Sequence, residues 1–128
     1  DKTVSEIKDG LVLFVGFTDT DNKETIIKMI NKIINLRIFP DDNNIMNLSI
    51  KDVGGEILII SQFTLYADTT KGNRPSYIKA MGGEKAKLLY EYFNKALSSY
   101  VPTKSGVFGA DMEISLTNMG PTTIMLER

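Results

Sequence analysis

"EILIISQFTLYA", residues 56–67, is the stretch on which the fold turns. Ile57, Leu58, Ile59 and Ile60 form an unbroken β-rich apolar run, which reads as a core strand. Ser61, Gln62 and Thr64 then place polar groups where a buried strand would continue apolar. One reading is a strand that emerges at the sheet edge with its hydroxyls satisfied. The other is a pocket mouth, where hydroxyls, an amide and free backbone N–H groups face a ligand. Backbone N–H groups make good oxyanion donors without any special side chain. The twelve residues alone leave both readings open.

Working outward, "TVSEI" (3–7) alternates apolar and polar residues and predicts a short strand, with Asp9-Gly10 as a hairpin turn. "LVLFVGF" (11–17) predicts a buried strand. Asp21 and Glu24 make a capping pair for a helix from about Asn22 to Ile38, with Ile26, Ile27, Ile30, Ile33, Ile34 and Ile38 on one face. Pro40 and "DDNN" end it. Residues 47–55 read as a loop with room for one short strand, and 68–76 as a polar loop of a length that is often functional. Ser76 to Ala80 suit a helical turn. A second helix is expected from Glu84 to Ser99, burying Leu88, Leu89, Tyr92, Phe93, Ala96 and Leu97, followed by strands at 105–117 and 121–127. The order ββαββ…αββ predicts a single α/β domain. Its core would be a curled, largely antiparallel, barrel-like sheet with two main helices packed on it. Strands and helices do not alternate strictly, which argues against a doubly wound sheet.

Composition removes much chemistry. There are no cysteines, so disulfides, thiolate metal sites and a Cys nucleophile are excluded. There are no histidines, which removes the commonest general base and the Ser-His pair. No metal-ligand set, P-loop or dinucleotide fingerprint is visible, and no cofactor is expected. Fifteen basic residues against sixteen acidic give a net charge of −1, so any nucleic-acid contact must rest on a local patch. No apolar run approaches the ~20 residues of a membrane span. With no signal peptide and no cysteine, a cytoplasmic protein is expected.

Three further stretches could carry function. "KGNRP" (71–75) sets Lys71 and Arg74 in the polar loop, with Lys79 soon after. These make either a solvated surface or a phosphate-contacting patch. "GVFGADM" (106–112) is either a strand bulge or backbone approaching a flat ligand, with Phe108 or Met112 offering a surface for a base. "NMGPTT" (118–123) puts Gly120-Pro121 between two runs of strand character. Proline cannot serve a central ladder, so the pair is either a plain turn or a working part made of backbone.

Taken together, "SQFTLYAD…KGNRPSY", "FGADM" and "TNMGPTT", in this order and spacing, resemble the D-aminoacyl-tRNA deacylases, also called D-tyrosyl-tRNA deacylases. The resemblance covers nearly all 128 residues. It implies a homodimer that hydrolyses the ester joining a D-amino acid, or mischarged glycine, to the 3′-terminal adenosine of tRNA. The partner implied is aminoacylated tRNA, not DNA and not a membrane. By resemblance Gly120 and Pro121 are a cis pair inserted from one subunit into the other's pocket. That pocket is lined by Ser61, Gln62, Phe63 and Thr64. Gly120, Pro121, Gln62, Phe63 and Thr64 then carry catalysis. Phe108, Gly109, Ala110 and Met112 lie near the adenosine, with Asn118 among the substrate-binding residues. Lys71, Arg74 and Lys79 are candidates for tRNA phosphate. Met119 and Thr122 stand where relatives often carry Asp and Val, flanking the Gly-Pro pair without altering it. The family's first strand, with its basic residue, precedes Asp1, so an N-terminal truncation is expected. Two backbone N–H groups near Gln62 and Phe63 are expected to serve as the oxyanion donors. A non-catalytic module that binds the tRNA 3′ end or a nucleotide with the same pocket is the alternative.

Overall fold

A computed structural model describes residues 6, 9–119 and 122–128. The element order is β1 (Gly10–Val15), α1 (Lys23–Asn35), β2 (Phe39–Pro40), β3 (Met46–Leu48), α2 (Ile50–Val53), β4 (Glu56–Ser61), a 3-10 helix (Phe63–Tyr66), α3 (Gly83–Ser98) and β5 (Thr103–Ser105). The strand expected at 3–7 falls on residues of which only Glu6 is described.

The sheet corrects the expectation. Among the described residues it is three-stranded in the order β1-β4-β5, and both pairings are parallel. A separate antiparallel pair joins β2 to β3. No curled or barrel-like antiparallel sheet is formed by these residues. The physical reason lies in the apolar runs themselves. "LVLFV" and "EILII" do not alternate, and a strand that is apolar on both sides suits a parallel sheet covered by helices. Parallel neighbours need long crossovers, and here α1 lies between β1 and β4 while α3 lies between β4 and β5.

The register pairs Leu11 with Ile57, Leu13 with Ile59 and Val15 with Ser61. Ile57 and Ile59 are fully buried and pack with Ile26, Ile30, Ile33 and Ile34 of α1 and with Ala86, Tyr90, Phe93 and Leu97 of α3. Gly10 opens β1 at φ +153°, and a Cβ there would sit 1.7 Å from the Glu56 carbonyl oxygen. Only glycine permits that approach of backbone to backbone.

Local chemistry moves several boundaries. Asn22, rather than Asp21, caps α1. Its side chain accepts from Thr25 N–H at 3.0 Å, and Thr25 Oγ1 accepts from Asn22 N–H at 2.9 Å. Asp21 instead accepts from Thr18 N–H at 2.8 Å and shapes the turn before the helix. α1 ends at Asn35 and not at Ile38. Ile27 lies at the solvent edge of the predicted apolar face, and on α3 Leu88 is 67% exposed while Ala86 and Tyr90 take the buried positions. Residues 50–53 form a third helix, α2, capped by Ser49 and Asp52.

The expected strand at 105–117 contributes only its first residue to β5, and none of the described residues in 121–127 is strand. Gly109 at φ +76° and the Ala110 N–H to Val107 carbonyl bond of 3.3 Å turn the chain away from the sheet. The apolar alternation beyond it finds no ladder partner among the described residues, and strand character without a partner does not make a strand.

Candidate functional site

The predicted strand 56–67 stops at Ser61, and the site begins at that break. Gln62 donates its backbone N–H to the Val15 carbonyl at 2.8 Å, which ends β4 against β1. The chain then winds into the 3-10 helix. Its first bond runs from Leu65 N–H to the Gln62 carbonyl at 3.2 Å, and another from Ala67 N–H to the Thr64 carbonyl at 3.0 Å. The N–H groups of Phe63 and Thr64 therefore precede the helix's own bonds, as the first donors of any helix must. The Gln62 N–H is used in the fold, and no bond from the Phe63 or Thr64 N–H is seen among the described residues.

The side chains are organised around the same turn. Gln62 Nε2 donates to Thr64 Oγ1. A hydroxyl that accepts from an amide gains no base, so this contact orients Thr64 without activating it as a nucleophile. Ser61, Gln62 and Thr64 are half-buried, while Phe63 is 55% exposed. The Phe63 ring meets Tyr77 edge-on, with centroids 5.1 Å apart and planes at 70°. That contact ties the far end of the 68–76 loop to the site. Tyr66, behind the turn, lines a cavity of about 60 Å³ with Phe93, Leu126 and Glu127. Burial pushes its phenol pKa up from 10.0, and the charges of Asp21 and Glu127 add to the effect. It offers no base near neutral pH.

The 106–112 segment comes to the same end of the sheet. Gly106 N–H donates to the Ile59 carbonyl at 3.0 Å, two residues before Ser61. Tyr90 Oη lies 3.0 Å from the Ile59 carbonyl and 3.2 Å from that of Gly106. Tyr90 thus clamps β4 to the segment, a role that its place on α3 did not disclose in the sequence. Phe108 is half-buried against the Tyr90 ring at 5.6 Å, so one of its faces belongs to the core. Met112 packs over Gly106, where an added Cβ would lie 2.7 Å from its sulfur. Gly109 and Ala110 are exposed at the turn. Residues 61–64 and 106–112 are therefore neighbours at the carboxyl ends of parallel strands, where open α/β sheets commonly bind ligands.

The cationic candidates divide. Lys71 and Arg74 are exposed on a loop closed by reciprocal backbone bonds between Asp68 and Ser76, at 2.7 and 2.9 Å. Lys79 lies 3.8 Å from Asp68 and is partly neutralised by it. Thr70 donates its N–H (2.9 Å) and its hydroxyl (2.7 Å) to Asp68 Oδ1. These bonds, with the Lys79 charge, hold the Asp68 carboxyl below its ordinary 3.8. A carboxyl with a lowered folded pKa stabilises the fold fully above the unfolded value and loses that contribution as pH falls through the folded one. The Thr70 amide resonance is thus expected to titrate below pH 3.8, with hydrogen-exchange protection lost in acid, and Asp68→Asn is expected to abolish the step.

Gly120 and Pro121 lie outside the described residues. Their flanks are described. Asn118 Nδ2 donates to Thr123 Oγ1 at 3.1 Å across the pair, and Thr122 Oγ1 lies 3.9 Å from Met46 Sδ on the β2–β3 hairpin. Met119 and Met125 are 85% and 81% exposed, with Leu116 and Ile124 about half exposed.

No group of His, Cys, Asp or Glu that could hold a metal occurs among the described residues, and none of their helices is long and apolar enough to cross a membrane.

Comparison with known proteins gives a consistent result. A D-aminoacyl-tRNA deacylase from Listeria monocytogenes is 52% identical over 128 residues, covering 99% of this chain and 85% of its own. One from Flavobacterium psychrophilum is 53% identical, covering 98% and 85%. A solved structure described as c-Myc DNA Unwinding Element Binding Protein superposes with a TM-score of 0.93 at 37% identity, over 99% of this chain and 87% of that one. A probable eukaryotic D-amino acid tRNA deacylase shares the fold, with a TM-score of 0.73 at 17% identity over 86% of this chain and 80% of that one. The D-Tyr-tRNA(Tyr) deacylase family model matches residues 1–127, and the chain belongs to that family.

Proposed function

We infer that this chain hydrolyses the ester bond of D-aminoacyl-tRNA, releasing the free D-amino acid and tRNA and so proofreading chirality before translation. Near-full-length similarity to named deacylases carries the reading. The geometry supports it, because the site supplies what an ester on a ribose lacks. That ester is already activated by its α-ammonium and by the vicinal hydroxyl. What remains is placement and stabilisation of the oxyanion.

The N–H groups of Phe63 and Thr64 are suited to receive the oxyanion. The Thr64 hydroxyl, oriented by Gln62, is suited to position the attacking group, either water or the ribose 2′-OH. The chain has no histidine or cysteine to serve as a base near neutral pH. Ser61 and the 106–112 turn, with Phe108, Gly109, Ala110 and Met112, form the side of the site where the terminal adenosine fits. Lys71 and Arg74 are free to meet phosphate, with Lys79 a weaker candidate because of Asp68.

Handedness follows from a backbone wall. With the carbonyl and the α-ammonium fixed, one direction remains for the side chain. A D-residue points it to solvent. An L-residue would drive it into Gly120-Pro121, supplied by the second subunit of a homodimer. Glycine has nothing to reject and is released as well. Two features support the shared arrangement. The Asn118–Thr123 bond ties together the flanks of the pair, and the exposed methionines and aliphatic residues around it suit cover by a second copy.

Release assays with D-Tyr-tRNA and L-Tyr-tRNA test the reading, and D-selective release is expected. Gly120→Ala is expected to slow D-Tyr release about 10²-fold, the scale of a small misplacement of reacting groups. Full activity with unchanged selectivity in that variant would remove the wall. A second reading, a nucleic-acid-binding module without catalysis, draws on the relative described as binding a DNA element. Binding of charged tRNA without release would favour it.

A further inference from the structure

We propose that a groove at the carboxyl end of α1, formed by Lys28, Lys32 and Arg37 with Asn31 and Asn35, is a second contact for tRNA phosphates. It rests on the hydrolase reading only for the identity of the nucleic acid. The groove has a volume of about 390 Å³ and its lining contains no acidic side chain. In a chain with net charge −1, three cations around one groove are a concentration of positive charge.

Packing does not account for the two lysines. Lys28 and Lys32 are exposed, and neither joins an ion pair among the described residues. They stand four residues apart on one helix face, where like charges repel and destabilise the helix slightly. The helix dipole favours a cation in the last turn, which covers Lys32. It does not cover Lys28, which lies a turn earlier, or Arg37, which lies past the helix end.

Arg37 is also held in place. Its Nε donates to the Asn47 carbonyl at 3.1 Å, and one Nη donates to the Asn47 side-chain oxygen. Asn47 in turn donates to Asp41 Oδ2 at 3.2 Å. Asp41 is itself spent on its own hairpin, where its Oδ1 also accepts from the N–H groups of Asn43 and Ile45 at 2.9 and 3.0 Å. The guanidinium keeps further N–H donors for an outside acceptor, since it has five in all. A fixed guanidinium beside two mobile ammonium groups and two amides suits phosphate oxygens.

The location fits a long substrate. α1 begins beside Thr18 and Asp21, at the same end of the sheet as Ser61–Thr64. The groove runs along the helix from Lys28, about 8 Å past the helix start, to Asn35, about 18 Å past it. An aminoacyl-adenosine held at the site cannot reach that far end, whereas the body of a tRNA can.

The test measures binding of uncharged tRNA to the full chain against salt concentration. Each lysine that neutralises a phosphate contributes about one unit to the slope of log K against log salt. Lys28→Ala/Lys32→Ala is expected to lower that slope by about two units, and Lys28→Arg/Lys32→Arg to restore it. The alanine pair is also expected to raise KM for D-Tyr-tRNA and not for D-tyrosyl-adenosine. An unchanged slope, an equal rise in KM for the short ester, or a loss confined to duplex DNA would overturn the groove. Failure of the hydrolase reading looks different: the parent chain releases no D-tyrosine, while the alanine pair still lowers the slope for tRNA.

Discussion

Phe63→Pro is expected to lower kcat for D-Tyr-tRNA by about 10²–10³-fold, the effect of deleting one oxyanion donor. Proline removes the backbone N–H without breaking a bond of the 3-10 helix. Residue 63 is the first of the 3-10 helix, where the ring's fixed φ is already suitable and no intrahelical bond is lost. Gln62, before it, is non-helical at φ −145° and ψ 83°, so the residue preceding the proline is not forced out of a helix. The substitution also removes the Phe63 ring and its edge contact with Tyr77. Phe63→Ala is the control, because it deletes the ring and keeps the donor. The alanine variant is expected to change KM more than kcat, and the proline variant to change kcat. If both variants lose kcat equally, the ring and not the N–H carries the effect, and the oxyanion assignment fails.

That prediction depends on a detail that the sequence concealed. Ser61, Gln62 and Thr64 stand out as polar residues after an apolar run, so a break near the end of β4 was legible. Which amides that break leaves outside the ladder was not. The choice depends on where β4 ends, and β4 ends because Gln62 N–H finds the Val15 carbonyl. That partner is 47 residues earlier in the chain, and no local pattern names it. The helices were legible for the opposite reason. Ile26, Ile30, Ile33 and Ile34 repeat at helical spacing, and α1 buries all four. Strand direction fell between these cases. The unbroken apolar runs carry the signal for parallel pairing, but the element order suggested hairpins, and the tertiary partners chose the crossover. Tyr90 shows the same limit on a single residue. Its spacing from Phe93 and Leu97 suits burial, but nothing local predicts its hydroxyl's contact with two carbonyls from different segments.

The core on which the site stands gives the other large effect. Phe93→Ala is expected to destabilise the fold by about 3–5 kcal/mol, the range for deleting a buried phenylalanine ring. Phe93 is 1% exposed and is among the largest fully buried side chains. It meets Phe17 edge-on at 6.4 Å and lines the cavity of about 60 Å³ that also touches Gly16, Tyr66 and Leu126. The surrounding residues belong to β1's exit, the 3-10 helix and the carboxyl-terminal segment, so they cannot close together over the missing ring without moving the site. A cavity that cannot collapse sits at the costly end of the range. Domains of this kind are stable by about 5–15 kcal/mol, so the variant loses a large part of its margin. Urea titration is expected to show a lower midpoint with an unchanged slope, the mark of lost stability without a changed unfolded state. Phe93→Leu, which keeps most of the volume, is expected to recover more than half of the loss. Should Phe93→Ala unfold at the parent midpoint, the packing between α3 and the floor of the site would have to be something other than what positions Phe63 and Thr64.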